Sequence, residues 1–500
     1  MREVMKRQAE LGELSIGSIV LDPKSRDDIP KLLVGLQYIY LNRELRDEVF
    51  SILQEVIPRL ADGKKASDTL GRPGMEQWKI LVLGVVRLGL DADYDRLQEL
   101  ANQHKTLRQM LGHADWYDQQ TYELQTLKDN LRLFTPEILG RINTAVVRAG
   151  HALLKKSPDE VLRGRCDSFV VETDVHFPTD TNLLLDAVRK IIEFSAQISD
   201  KLSLKGWRQS RYSLRQFKKL YRKIQRLRHS TSQEESVRQA RIQEIREAHQ
   251  DYLAAAVGYL GRARETRIEV LTTPAASLCD VAMLSELDGY LVHAERQIDQ
   301  IRRRVLQGEV IPHHEKVFSI FAPHTEWIVK GKAGVPVELG LRVCILEDQH
   351  RFLLHHQVME KQTDDQVALG MVEQSQTRFP SLRAVSFDKG FHSPSNRQAL
   401  EERLELVALP KKGRHSMADR ERETAPAFLK ARRKHSAVES AINGLEHFGL
   451  DLCPDHGIKG FKRYVAMAVL ARNIHRLGVV VRERNARAKS TVPEPQKRAA

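Results

Sequence analysis

The sequence predicts an α/β protein: a mixed β-sheet with flanking helices, split by a long helical insert and preceded by an all-helical domain. Three observations support this prediction. Residues 1–150 repeat apolar positions at three- and four-residue spacing, as amphipathic helices do. Residues 166–178 alternate like a strand, and strand patterns return between 313 and 480. Residues 180–312 between them have helical, heptad-like spacing with few breakers.

Chain length and net charge limit the number of domains and the class of partner that can be expected. A chain of 500 residues is too long for one core, so two to four domains are expected. The 79 Lys and Arg residues exceed the 66 Asp and Glu residues, which gives a net charge of +13 and favours a polyanionic partner.

Cysteine spacing and hydropathy bear on the compartment. The four cysteines lie far apart without a C-x-x-C pair, which predicts neither a zinc ribbon nor a disulfide framework. The N-terminus has no apolar signal core, and no stretch reaches the roughly 18 apolar residues of a membrane span. We therefore expect a cytoplasmic protein in a reducing compartment, without a membrane partner.

The N-terminal region, residues 1–150, ends its amphipathic stretches at tight turns such as the one at Gly112. Short helices joined in this way are typical of a helix-turn-helix-like DNA-binding domain. An all-helical packing domain fits the same pattern, and both interpretations stay open.

The helical insert, residues 180–312, contains a strongly basic segment. Residues 201–230 hold eleven Lys and Arg residues, no acid, and four interleaved aromatic residues. Uncompensated cations repel one another, so a phosphate backbone explains them better than a solvated helix face. The candidate DNA-binding residues are Lys218, Lys219, Arg222 and Lys223. The alternative is an arm that dimerises the protein.

The region after the insert, residues 313–480, continues the pattern of the first strand. Without the insert, the order is one strand, three strands, helix, strand, helix, strand and helix, which is close to the RNase H-like pattern. Residues 160–179 and 313–480 would form this domain, and the charged, Pro-containing tail 481–500 is predicted to be disordered.

The RNase H-like pattern places a metal site on three acids: on the first strand, after the fourth strand and on a late helix. Asp388 directly follows the apolar run "LRAVSF", at the end of the fourth strand. Glu439 lies on a late helix, predicted over about residues 427–448, beside an apolar stripe that contains Val438, Ile442 and Leu445.

Two acids compete for the first position. Alternation puts Asp167 in one column with apolar residues, whereas Asp174 shares the other column with polar residues. An acid in an apolar column needs a partner such as a metal ion, so we choose Asp167. Asp174 remains the alternative.

Several ordered segments resemble bacterial insertion-sequence transposases of the DDE type. They are "CDSFVVETDVHFPTDTNLLLDAVRKI", "WIVKGKAGVPVELGLRVCI", "SFDKGFHSPSN" and "RKHSAVESAINGLEHFG", with "GRPGMEQWKILVLGVVRLGL" similar to the N-terminal domain of that family. The resemblance covers most of residues 65–480. It implies the catalytic and metal-binding triad Asp167, Asp388 and Glu439. The family's Tyr, Arg and Lys around the glutamate are replaced by Arg432, His435 and Glu446.

Three carboxylates can hold two Mg²⁺ ions, with Mn²⁺ as a substitute, for phosphodiester hydrolysis and transesterification. Lys330 and Lys332, in "KGKAG", are further candidates for phosphate contact, and there is no P-loop for ATP.

We expect a homodimer on double-stranded DNA, both transposon ends and target. The hypotheses are a transposase that cuts terminal inverted repeats and joins 3′ ends, an RNase H-like nuclease without strand transfer, and an inactive DNA-binding protein derived from a transposase.

Overall fold

A computed structural model describes residues 3–5, 15–22, 24–57, 74–114, 119–154, 160–274, 277–329 and 336–490. Within these, two compact units are found: residues 1–174 with 328–500, and residues 175–327. The first contains the whole N-terminal region and nearly all of the sheet, and the second corresponds closely to the helical insert, predicted at 180–312.

The N-terminal helices pack into the same core as the sheet. They are α1 (Ile29–Leu41), α2 (Arg43–Leu53), α3 (Gln77–Gly89), α4 (Tyr94–Gln103), α5 (Lys105–Met110), α6 (Leu124–Leu131) and α7 (Pro136–Leu154). Buried side chains from Leu33 through Val146 to Leu470 belong to one continuous apolar cluster. The boundary predicted near residue 150 therefore does not separate two cores.

The first strand, β1 (Leu162–Thr173), is displaced from its predicted range of 166–178. It begins four residues earlier, where Leu162 donates its N–H to the Ser381 carbonyl. It ends at Thr173 rather than at Pro178. Thr173 is the last residue of β1 that pairs with another strand, opposite Cys453.

The insert is helical, as the sequence predicts. It contains α8 (Asp180–Lys201), α9 (Ser210–Arg226), α10 (Glu235–Thr272) and α11 (Leu278–Ile301), and a π-helical segment continues to Gln307. These helices have their own apolar cluster, in which Phe217 and Tyr252 stack with ring centroids 4.5 Å apart. A core of its own is what an insert needs to fold as a unit.

Strands and helices alternate in the remainder of the chain. The strands are β2 (Glu326–Val329), β3 (Val337–Asp348), β4 (Leu353–Met359), β5 (Leu382–Phe387), β6 (Leu406–Ala408) and β7 (Leu452–Cys453). The helices are α12 (Asp364–Arg378), α13 (Pro394–Arg403), α14 (Met417–Thr424), α15 (Pro426–His435), α16 (Ala437–Leu445) and α17 (Gly457–Ser490).

Two predictions for the C-terminal helices were wrong. The single helix predicted at 427–448 is interrupted at Ser436, between α15 and α16. The tail predicted to be disordered from residue 481 continues as helix to Ser490, because α17 extends as one element from the core. Residues 491–500 lie outside the described part of the chain.

The sheet has seven strands, and its main path runs β2-β3-β1-β5-β6, with β4 paired to β3 and β7 to β1. β3 is antiparallel to both β1 and β4, whereas β5 and β7 are parallel to β1 and β6 is parallel to β5. The structure is therefore an α/β protein with a mixed sheet and flanking helices.

α17 is the central helix of the first unit. It is the one helix of the described residues whose length and hydropathy would allow it to cross a membrane, and 72% of its apolar window is buried inside the protein. That degree of burial is compatible with the core helix of a soluble protein.

All four cysteines are free, and the Sγ atoms of Cys166 and Cys344 lie 3.5 Å apart.

The crossing of α1 and α17 depends on the absence of a side chain at Gly35. A Cβ atom there would lie 2.1 Å from the Ile474 carbonyl oxygen, which is backbone and cannot rotate away. We expect Gly35→Ala to lower the free energy of unfolding by about 1–3 kcal/mol or more.

Gly258→Ala is the matched control for Gly35→Ala. Gly258 lies inside α10 with no atom within 4 Å of an added Cβ, so alanine should be neutral or stabilising there. Urea unfolding of both variants checks the comparison. Equal stability of Gly35→Ala and the wild type would contradict the close crossing.

Candidate carboxylate site

Asp167 and Asp388 come together through the register of two parallel strands. Cys166 on β1 is the partner of Phe387 on β5, so the acids are the next residues on adjacent strands. Neighbouring strands lie about 4.8 Å apart, and residues in register point to the same face. A helical turn at Lys389–Phe391 follows Asp388 directly, and the carboxylate stands exposed at the end of its strand.

Glu439 reaches the same site from α16. Val438, Ala441 and Leu445 are the buried residues of this helix, which packs against β1. Glu439 lies beside them and is exposed. After burial and the charges of Asp388 and Asp364, the Glu439 charge makes a further, smaller contribution to the raised pKa of Asp167. The three acids predicted from the sequence are thus electrostatically coupled.

The environment of Asp167 perturbs its acidity. Its pKa is raised from 3.8 to about 6, chiefly by burial and further by the charges of Asp388, Asp364 and Glu439. The backbone N–H of Ser168, 2.8 Å from Oδ1, acts in the opposite direction. A half-buried carboxyl among other carboxylates gains stability from a proton or from a metal cation.

Asp364 is a fourth acid at the site that the sequence analysis missed. It begins α12 and accepts a 2.6 Å hydrogen bond from the Ser168 hydroxyl. Acids are common in the first turn of a helix because they interact favourably with its dipole. The segment "TDDQ" therefore offers no reason to assign Asp364 to a site.

His435 also borders the carboxylates. The Ser386 hydroxyl lies 3.1 Å from its Nδ1, and its buried Nε2 has no hydrogen-bond partner among the described residues. Burial lowers the pKa of His435, while Asp388 and Glu439 act to raise it. The sequence indicated only that His435 precedes Glu439 by one helical turn.

Asp174, the alternative first acid, lies elsewhere. It is exposed in a bend after β1, and its N–H donates to the Cys453 carbonyl at 3.4 Å. Seven residues of strand separate it from Asp167, a distance of about 23 Å. The pairing of β1 with β5 ends at Cys166, so Asp167 and not Asp174 lies beside Asp388.

The donor set fits a hard divalent cation, although it is not arranged as a closed ligand group. Within the described ranges, no three His, Cys, Asp or Glu side chains are close enough together to hold a metal ion. Carboxylate oxygens are nonetheless the protein ligands that Mg²⁺ prefers. Burial is the main cause of the raised pKa of Asp167, and the neighbouring carboxylate charges that add to it are the charges that a cation would neutralise.

Four exposed cations lie on α15. Lys430, Arg432, Arg433 and Lys434 on α15 are exposed, and none forms an ion pair with another described residue. They immediately precede α16 in the chain. Cations beside a carboxylate site suit a substrate that is itself an anion. The other predicted phosphate contacts, Lys330 and Lys332, lie outside the described residues.

In the insert, the four candidate DNA-binding residues differ in their environment. Lys219 and Arg222 are exposed, Lys218 is half-buried, and Lys223 pairs with Asp251 at 3.1 Å. The free cations form an exposed line along α9, spaced by three or four residues and without an ion pair to any described residue: Arg211, Arg215, Lys219, Arg222 and Arg226. We call these five residues the α9 stripe.

Comparisons with protein-family models, with curated proteins and with solved structures found no match to this chain.

The raised pKa of Asp167 predicts a specific pH dependence of stability. Between about pH 4 and 6 the folded protein retains a proton that the unfolded chain has released, so this group makes stability fall as pH rises. Above pH 6 the loss of folding stability caused by the Asp167 charge is complete, and it amounts to on the order of 1–3 kcal/mol. Asp167→Asn should therefore raise the melting temperature of the metal-free protein at pH 7.5.

Asp174→Asn is the control for this effect, since Asp174 is exposed and distant from the other acids. Thermal melts of both variants and the wild type at pH 4.5 and 7.5 check the prediction. The gain from Asp167→Asn should appear at pH 7.5 and shrink at pH 4.5. A variant that melts below the wild type at pH 7.5 would contradict the electrostatic account.

Proposed function

We propose that this protein is a DDE-type transposase with an RNase H-like catalytic domain, which cuts the terminal inverted repeats of its insertion sequence and joins the 3′ ends to target DNA. The observation that carries the proposal is the coupling of three carboxylates from three separated segments, Asp167, Asp388 and Glu439, at one place on a mixed sheet.

The strand order supports this proposal. β4, β3 and β1 are successively antiparallel, and β5 and β6 continue the sheet parallel to β1. An RNase H-like domain has this arrangement, with acids on its first strand and after its fourth. In this protein β3 also pairs with β2, which is an additional strand.

The residues of the chain would divide the work of phosphodiester cleavage. Asp167, Asp388 and Glu439 would hold Mg²⁺, which would supply activation of the attacking oxygen and stabilisation of the leaving oxygen. Asp167 must lose its proton to act as a ligand, so its pKa of about 6 makes cation binding weaken in acid. The free cations of α15 would position the DNA strand by its phosphates.

Strand transfer distinguishes a transposase from a nuclease. The test incubates the protein with Mg²⁺, a supercoiled plasmid and a short duplex that ends in the inverted repeat flanking its gene. A transposase joins the 3′ end of the duplex to the plasmid, whereas a nuclease only shortens the duplex. A mixture that yields cut but never joined DNA would contradict the proposal.

One observation favours a second candidate, a DNA-binding protein without catalysis. The described side chains do not form a closed metal-ligand group. A chain that had lost activity would still bind terminal-repeat DNA through its free cations. It would neither cut nor join that DNA with Mg²⁺ or Mn²⁺.

A further inference from the structure

The insert unit contains a cavity, partly open to solvent, that the proposed function does not use. Its volume is about 540 Å³, within the range of small-molecule sites. Apolar side chains form part of its wall, including Leu183, Ile224 and Ile311. The remaining wall is polar, aromatic or charged, so the cavity is not a simple packing defect.

Gln297 on α11 gives the cavity an unsatisfied hydrogen-bonding group. The residue lines the cavity and is fully buried, with 0% of its surface exposed. Neither its amide nitrogen nor its amide oxygen has a partner among the described residues. A buried polar atom without a hydrogen-bond partner destabilises the folded protein. A ligand with an adjacent donor and acceptor would satisfy both at once.

Aromatic rings line another part of the wall. Trp327 and Phe318 have centroids 5.6 Å apart, and His313 follows 5.2 Å from Phe318. The exposed ring of Phe177 adjoins Trp327 at 5.5 Å. A row of rings of this kind offers stacking partners to a flat heterocycle, as in proteins that bind unpaired bases.

Charged and polar groups complete the lining. Arg304 and Asp180 neutralise each other through hydrogen bonds of 2.6 and 2.9 Å, while Lys316 is exposed and has no ion-pair partner among the described residues. The Nδ1–H of His249 donates to the Ile245 carbonyl at 2.7 Å, which leaves Nε2 as an acceptor in the neutral ring. The lining thus carries one unbalanced cation, suited to a phosphate.

We propose that this cavity binds a nucleobase, with the amide of Gln297 paired to the edge of the base and the aromatic wall stacked on its face. A glutamine amide forms two hydrogen bonds with adenine in this way. Lys316 would contact the phosphate attached to the same nucleoside. The base comes either from a free nucleotide or from a DNA strand with an unpaired base. The inference is independent of the proposed cleavage activity and needs no metal ion.

Isothermal titration with adenosine 5′-monophosphate tests the proposal on the full-length protein without Mg²⁺. Gln297→Leu keeps the volume and removes both hydrogen bonds, so we expect at least about tenfold weaker binding and a higher melting temperature. Trp327→Ala should also weaken binding, and Trp327→Phe should largely restore it.

Ser195→Ala is the matched control. Ser195 is equally buried in the same unit, and its Oγ also has no partner among the described residues, but it does not line the cavity. It should leave nucleotide affinity unchanged. Affinity of Gln297→Leu equal to the wild type would overturn the proposal.

A second titration identifies the source of the base. It compares a paired duplex with the same duplex carrying one unpaired adenine. Preference for the unpaired base that Gln297→Leu removes would support a DNA source, and equal affinity with retained mononucleotide binding would support a free nucleotide. Failure of both adenosine 5′-monophosphate and the unpaired base to bind below about 1 mM would overturn the proposal and leave the cavity to water.

Discussion

Asp388→Asn is expected to abolish Mg²⁺-dependent cutting of terminal-repeat DNA while affinity for that DNA changes little. The carboxylate stands at the end of β5, beside Asp167 and outside the apolar core, so its replacement removes a ligand without disturbing packing. A bound metal ion stabilises the transition state by several kcal/mol. Each 1.4 kcal/mol is a factor of ten in rate, so a loss of about a thousandfold or more is expected.

Asp167→Asn and Glu439→Gln should have effects as large, because each removes one carboxylate of the same coupled set. Asp174→Asn is the matched control, and its cleavage rate should stay within about twofold of the wild type, an effect below 0.5 kcal/mol. Gel-shift affinity and cleavage rate are measured on the same preparations. Normal cleavage by Asp167→Asn together with inactivity of Asp174→Asn would reverse the assignment of the first acid.

Neutralising the α9 stripe is the change with the second-largest expected effect. Substituting Gln at Arg211, Arg215, Lys219 and Arg222 removes four exposed cations that have no ion-pair partner among the described residues. If they bind phosphates, affinity for specific and random duplexes should fall together. The log–log salt dependence should flatten by roughly 0.9 for each phosphate that the variant no longer neutralises.

The insert also supplies a control of equal charge. Arg238, Arg241, Arg264 and Arg267 each pair with an acid of the same unit, so their replacement by Gln removes four cations that are already compensated. That variant should keep nearly the wild-type salt slope. An unchanged slope in the α9 variant, together with a change in mass by light scattering when the insert is deleted, would support a dimerising arm instead.

The fold could be predicted from the sequence where hydropathy periods were long and unambiguous. The run 382–387 defined β5 to the residue, and the helical insert was evident from its spacing. The limits of β1 were less certain, because they are set by pairing with distant segments at Leu382 and Cys453. The shared core of N-terminal helices and sheet depends on packing against α17 that no local pattern records.

Some residues of the candidate site could be predicted from the sequence, and others could not. Asp388 could be selected from sequence because it directly follows the apolar run of the fourth strand, where the RNase H-like pattern places an acid. Asp364 and His435 could not, since an acid in a first helical turn and a histidine in a basic stretch are ordinary. Their closeness to the other acids follows from tertiary packing of α12 and α15. The sequence also could not show that Lys223 forms an ion pair with Asp251, unlike the free cations of α9.

Cleavage of the polypeptide by bound iron tests most directly whether one cation is held by the three carboxylates. Fe²⁺ replaces Mg²⁺, and ascorbate with peroxide then generates hydroxyl radicals that cut the chain near the metal. We expect cuts near Asp167, Asp388 and Glu439, suppressed by excess Mg²⁺ and absent in Asp388→Asn. Cuts confined to other segments, or no cuts in protein that binds terminal-repeat DNA, would contradict a shared metal site.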